Sequence, residues 1–328
     1  MTDGSKKLNW GIIGCGNVTE IKSGPGFQKA AGSALVAVMR RDAAKAADYA
    51  ERHGVPKWYS DADELMNDSD VEAVYIATPP AFHEDYAIKA LFLGKPVYVE
   101  KPMALDANSC RRMADAAAYY KTKISVAHYR RALPMFQKVK ELLASGAIGD
   151  VKTIELTMLK AADVQGVAKT ATNWRTDPAL SGGGYFHDLA PHQLDLILHW
   201  FGMPEKMNGF SVNQSGLYEA DDAVTGQMLF ENNIIFSGTW CFTAARGSTK
   251  DWCQITGSAG SLGFPFFGKE IVLQKEGIET RMPFEHPQHI QQPMIQKVTA
   301  YFSGQGENPS PAAEAIEVTR MMDRFTKK

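Results

Sequence analysis

The chain has 328 residues, 45% of them hydrophobic and 22% charged, a balance that excludes a disordered polymer and gives length enough for two cores. Lys and Arg number 35 against 37 Asp and Glu, so the net charge of -2 supplies no basic field for nucleic acid or an acidic membrane, and a small-molecule partner is expected. Residues 1–7 are polar, no stretch approaches a membrane span, and Cys15, Cys110, Cys241 and Cys253 lie far apart, as expected of reduced thiols in a cytoplasmic protein.

Short apolar runs at 10–13, 35–39, 74–77 and 97–99 alternate with alanine-rich segments such as 43–52 and 81–93. This grammar predicts a βαβ series and hence a doubly wound parallel sheet. A helix over 109–120 and a strand over 124–127 continue it. Residues 134–145 predict a helix with Pro134 in its first turn and Gly146 just past its end. Beyond Gly149, longer alternating strands are predicted over 151–159, 223–230, 234–242 and 251–257, with Glu231, Asn232 and Asn233 as a hairpin turn. They imply a second, α+β domain with a mostly antiparallel sheet. The expected division is 1–127 for dinucleotide binding and 128–328 for substrate binding and oligomerisation, the second part closed by helices over 291–302 and 312–325. Residues 161–184 read as the longest loop, where an active-site loop would lie.

Gly14 and Gly16 follow the first strand and precede a helix that opens with Asn17 and Val18. Backbone can approach a pyrophosphate only where no Cβ intervenes, and helix-opening amides favour its charge; the third fingerprint position is Thr19. After the second strand come Arg40 and Arg41, where an acid would usually meet the adenosine ribose. A guanidinium instead accepts a 2′-phosphate, so NADP is favoured, with NAD as the alternative and Asp42 as a residue still able to reach a ribose.

The strand over 97–99 is stopped by Pro102, which leaves Glu100 and Lys101 at its carboxyl end, the ligand-binding edge of a parallel sheet. Alone they read as an ordinary loop ion pair. Further on, three glycines precede a helix on which Asp188, His192, Asp195 and His199 fall in one line, an arrangement otherwise expected to face solvent. Pro191 frees the carbonyl four residues back unless it sits in the first turn, which reads as a helix start shaped around a ligand. His192 has the side chain suited to proton exchange near neutrality, Asp188 could orient it, and Lys101 could donate to the same substrate oxygen. His187 and His192 are five apart and do not share a face, so no metal site is expected.

In this order, Gly14 with Gly16, "ATPP" with His83, "EKP" at Glu100, Lys101 and Pro102, and "WR" followed by "GGG" and Asp188 with His192 resemble the Gfo/Idh/MocA family of nicotinamide-dependent oxidoreductases. The resemblance covers nearly the whole chain. It implies a Rossmann domain followed by an α+β domain whose large open sheet makes a homodimer or homotetramer, and substrates that are sugars, polyols and related compounds. It also implies that Lys101, Asp188 and His192 are catalytic. Thr78, Pro79, His83, Glu100, Trp174 and Arg175 would line the cofactor or substrate groove. Arg40 in place of the acid, and Pro80 where a small polar residue is frequent, depart from the family pattern. Two other functions fit the fold: an NAD-dependent glycosidase, and a non-catalytic nucleotide-sensing protein. Substrate choice is assigned to Arg130, Arg131 and the loop over 163–174. His286 and His289 read as surface or interface histidines.

Overall fold

The computed structural model describes residues 6–162 and 173–326. The chain divides into two compact units, Met1–Arg130 with Pro287–Ile316, and Arg131–His286 with Glu317–Lys328.

In the first unit, strands β1 (Leu8–Ile13), β2 (Ser33–Met39), β3 (Lys57–Tyr59), β4 (Ala73–Ile76), β5 (Val97–Val99) and β6 (Ile124–Val126) form one sheet in the order β3-β2-β1-β4-β5-β6. Every neighbouring pair is parallel, as in a doubly wound Rossmann sheet. Helices α1 (Asn17–Ile21), α2 (Gly24–Lys29), α3 (Ala43–His53), α4 (Ala62–Asn67), α5 (His83–Phe92) and α6 (Ala107–Tyr119) alternate with the strands. The side chains of Asp42, Asp61 and Asp106 cap α3, α4 and α6 by accepting from first-turn amides. Strands β4, β5 and β6 are buried at every position, which is why they read as continuous apolar runs and not as alternating ones. The strand order reverses between β1 and β4, so the ligand crevice of such a sheet opens beyond their carboxyl ends.

The second unit holds α7 (Pro134–Ala144), β7 (Val151–Leu159), α8 (Pro178–Ser181), α9 (Gly184–Phe201), β8 (Lys206–Val212), β9 (Ala223–Leu229), β10 (Ile235–Cys241), β11 (Lys250–Gly257), β12 (Gly260–Phe264), β13 (Glu270–Lys275) and β14 (Ile278–Pro283). Its eight strands run in the order β14-β13-β12-β11-β7-β10-β9-β8, and only β7 and β10 pair in parallel. The turn at Glu231–Asn233 joins β9 to β10 as the predicted hairpin, with Asn232 and Asn233 at positive φ. Burial alternates along β9 and β10, so one face is covered and the other open. On the covered face, Trp240 donates from its indole to Gln193 of α9 and packs edge-on against Phe186.

Three features differ from the sequence expectation. Residues 287–316 cluster with the first unit: α10 (Gln292–Phe302) packs on α2 and stacks Phe302 on the buried Trp10 at 5.5 Å. The stretch over 161–184 is not wholly a loop, since a 3₁₀ turn at Trp174–Thr176 and α8, capped by Asp177, occupy its second half. Pro191 lies in the interior of α9, not its first turn, so the carbonyl it leaves without a helical donor is that of His187.

The final helix, α11 (Ala312–Thr326), brings Phe325 against Gly209, Gly226 and Trp240; a Cβ at Gly226 would collide with its ring, and one at Gly209 with Thr225 O and the Phe325 backbone. Phe325→Ala should therefore cost about 3–5 kcal/mol, read as a lower denaturation midpoint. An unchanged midpoint would show that the ring is not a core element.

Candidate active site

The glycine turn leaves β1 at Gly14, whose φ of +92° is a conformation that side chains disfavour. A Cβ there would also sit 2.8 Å from the Thr78 methyl and 2.9 Å from its amide, so this glycine lets the turns after β1 and β4 touch. Gly16 is different. Its φ of -135° suits any residue, and a Cβ would meet nothing closer than a carbonyl at 3.8 Å. The chain's own packing does not require glycine there, whereas a ligand approaching the backbone does. Thr19 fits the third position because it is buried and turns its hydroxyl back to donate to Gly16 O at 2.8 Å. The close approach instead occurs at Gly24, where a Cβ would collide with Thr19 O and the Tyr49 hydroxyl. Cys15, between the two glycines, is fully buried, and burial pushes its thiol up to about 11, so it stays protonated at neutral pH.

At the end of β2, Arg40 donates to Cys15 O at 3.3 Å, which sets its guanidinium beside the glycine turn. Arg41 is exposed and lies over the Phe82 ring at 5.2 Å. Asp42, the residue that could have met a ribose, is engaged as the cap of α3, accepting from the Lys45 amide and pairing with the Lys45 ammonium at 2.9 Å.

Thr78, Pro79 and Pro80 lead from β4 into α5. His83, 1% exposed, sets Nε2 2.8 Å from Thr78 O and Nδ1 3.1 Å from Pro102 O. The ring therefore lies between the turn after β4 and the turn after β5, and its single N–H in the neutral form donates to one of these carbonyls. Thr78 Oγ1 is buried with no hydrogen-bond partner among the described residues. Glu100 and Lys101 stand beyond β5, and Lys101–Pro102 is a cis peptide. The Glu100 carboxylate, 6% exposed, accepts from the Tyr75 hydroxyl at 2.6 Å, from Gln291 Nε2 at 2.7 Å and from the Lys101 amide at 3.1 Å. It is an interior acceptor, not a surface partner.

In the second unit, α9 does not turn its acid and imidazole line to solvent. His192 is 5% exposed, with its ring 6.0 Å from Phe267 in an edge contact. Asp195 is 1% exposed and accepts from Arg131 at both oxygens, at 2.9 and 2.5 Å. Arg131, expected as a substrate contact, gives Nε and Nη2 to Asp195. Asp188 accepts from Arg175 Nε at 2.9 Å, and the Arg175 guanidinium lies 4.5 Å from the Trp174 ring. Arg175, expected at the cofactor or substrate groove, is thus paired with Asp188 of α9. The rest of the expected specificity loop, 163–172, lies outside the described residues.

Comparison with known proteins fits this geometry. Residues 8–128 match the oxidoreductase family with an NAD-binding Rossmann fold, and residues 136–263 match the GFO/IDH/MocA C-terminal domain. The chain belongs to the Gfo/Idh/MocA family. It is 46% identical to oxidoreductase P35 of Formosa agariphila, over 97% of this chain and 98% of that protein. It is 29% identical to the trans-1,2-dihydrobenzene-1,2-diol dehydrogenase of Bos taurus, over 84% of this chain and 80% of that one. Against the 1,5-anhydro-D-fructose reductase of Ensifer adhaerens the identity is 26%, over 93% and 91% of the two chains.

For a Gfo/Idh/MocA oxidoreductase, the glycine turn fits a dinucleotide on its own geometry: open space at Gly16, first-turn amides at Asn17 and Val18, and an unpartnered Thr78 hydroxyl beside Gly14. Among the described residues, no three His, Cys, Asp or Glu side chains are grouped as metal ligands would be, and no helix is long and apolar enough to cross a membrane. Sequence reasoning missed Tyr75 and Gln291, the partners of Glu100. Tyr75 is hidden within an apolar run, and Gln291 lies 191 positions away in sequence. His289, expected at a surface or an interface, is 7% exposed, with Nδ1 2.7 Å from Ile21 O.

Burial holds the His83 imidazole below its ordinary 6.5, the Thr78 carbonyl and the Glu100 carboxylate offsetting only part of that. The folded state thus favours neutral His83, while an unfolded chain takes up its proton near 6.5. This contribution is intact above 6.5 and is lost as pH falls from there toward the lowered folded value. Between about pH 7.5 and about 5.5, the denaturation midpoint should fall more steeply for the natural chain than for His83→Gln. Parallel slopes would remove His83 as the source.

Proposed function

We propose that this chain moves a hydride between NADP(H) and a hydroxyl- or carbonyl-bearing carbon of a sugar, polyol or related compound. When bound, the nicotinamide supplies or receives the hydride. His192 exchanges the proton of the reacting oxygen, Asp188 holds charge close to it from one turn away, and Lys101 donates a hydrogen bond to the same oxygen. The observation that carries this reading is His192, held nearly dry on α9 one turn beyond the Arg175-paired Asp188, in a chain whose family is one of oxidoreductases. The dehydrogenase and reductase names of two relatives support the substrate class.

The preference for NADP rests on Arg40 and Arg41, with Asp42 diverted to the α3 cap. These two guanidiniums would hold the 2′-phosphate, while Gly14, Gly16, Asn17 and Val18 would hold the pyrophosphate. Thr78 and Pro79 would border the groove. His83 and Glu100 act by fixing the turns behind it. Cytoplasmic action fits four cysteines of which none is in a disulfide.

A second copy of the chain is proposed to cover the open face of the larger sheet. Phe210, Val212 and Ile235, 50–60% exposed, share that face, opposite the one that Phe325 covers.

A panel of sugars, polyols and keto-sugars, followed by the absorbance of the reduced nicotinamide with each of the four cofactor forms, tests the reaction. Lys101→Met and His192→Asn should each lower kcat by about 10²-fold or more while the protein stays folded. Undiminished turnover in either would sink its assigned role. Arg40→Asp should reverse the preference toward NAD, and an unchanged cofactor ratio would overturn the NADP assignment. Phe210→Asp should shift the sedimenting species toward monomer; a natural chain that is already monomeric would dismiss the interface.

A further inference from the structure

We propose that Gln291 is a positioning residue for Lys101, acting through the buried carboxylate of Glu100. The proposal rests on the reading of Lys101 as the donor to the reacting oxygen.

A carboxylate that is 6% exposed persists in the interior only if its oxygens are met by donors. Oε1 of Glu100 is shared by Tyr75 and Gln291, and Oε2 holds the amide of Lys101 itself at 3.1 Å. The orientation of the carboxylate thus sets where the backbone of Lys101 begins. Tyr75 comes from the neighbouring strand β4. Gln291 comes from the returning segment, and it is fixed before its side chain is considered: its amide donates to Lys22 O at 3.2 Å, and its carbonyl accepts from Met294 and Ile295 at 3.0 Å. Its side chain, 1% exposed, therefore works from a rigid mount.

The same segment grips the helix that follows the glycine turn. The Lys29 ammonium can only donate, so at 2.8 Å His289 Nε2 accepts from it, and Nδ1 carries the hydrogen that goes to Ile21 O at 2.7 Å. Residues 289–291 are thus a strap with one hold on the end of α1 and another on the acid that precedes Lys101. A side chain that reaches a reacting atom from a loop is sensitive to its base, since a misplacement of about 1 Å costs about 10²-fold in rate.

The test is a double-mutant cycle, run with whichever compound of the substrate panel turns over fastest. Gln291→Leu keeps the volume and removes the donor. Expected are a kcat lower by about 10-fold to 10²-fold, a KM for the dinucleotide changed by less than about twofold, and a larger primary isotope effect from deuterated NADPH. In a Lys101→Met background the same change should add nearly nothing, because the group it positions is gone. Tyr75→Phe, which deletes one hydroxyl from the same oxygen, should move kcat in the same direction and guards against a Gln291 variant that fails to fold. An equal loss from Gln291→Leu with and without Lys101, or no loss from either variant, overturns the strap while leaving the oxidoreductase reading intact. If Lys101→Met turns over normally, or no panel compound is turned over, the parent reading falls and the proposal with it.

Discussion

A parallel sheet sends the carboxyl end of every strand to one edge, and the first unit depends on that constraint. The turns after β1, β4 and β5 are separated by tens of residues in sequence, yet they must pass each other within a few ångströms there. Gly14 lets the first turn touch Thr78, and the His83 ring fills the space between the second turn and the third. Glu100 then fixes the third turn to the interior. The contacts at His83 and Glu100 are polar and shielded from water, so they need partners, and the matching helps to make this edge rigid.

The second unit meets a different demand. Helix α9 lies against a sheet and is buried along most of its length, apolar and polar residues alike. Several of its polar positions were given partners: Gln193 the Trp240 indole, Asp195 the Arg131 fork, Asp188 the Arg175 guanidinium. A buried ion pair of this kind contributes little net stability while intact and is costly once halved, so its value lies in fixing geometry. In the proposed mechanism that geometry belongs to His192, which sits between Asp188 and Asp195 on the same line.

Much of the fold was legible because local chemistry agreed with the tertiary arrangement. Val97, Tyr98 and Val99 read as a buried strand, Gly146 ends its helix at a φ of +67°, and two asparagines make the β9–β10 turn at positive φ. Strands β3, β8, β12, β13 and β14 were not legible. The first has three residues, β8 carries Gly209, where a Cβ would meet Thr225 O and Phe325, and β14 is an exposed, charged edge. The returning segment was assigned to the neighbouring unit because a chain reads as consecutive pieces until a long-range contact, here Phe302 on Trp10, says otherwise.

By itself, the sequence determined the parallel sheet, the glycine turn at Gly14 and Gly16, the place of Lys101 at a strand end and the acid–imidazole line of α9. These follow from periodicity, turn chemistry and residue type, which act over a few positions. Tertiary structure alone decided what those residues touch. It turned Glu100 inward to Tyr75 and Gln291, committed Arg131 to Asp195, and made Gly16 the glycine that the chain's own packing does not need. Burial sets the cost of every unpaired polar group, and neither burial nor the partner that relieves it is a local property of the chain.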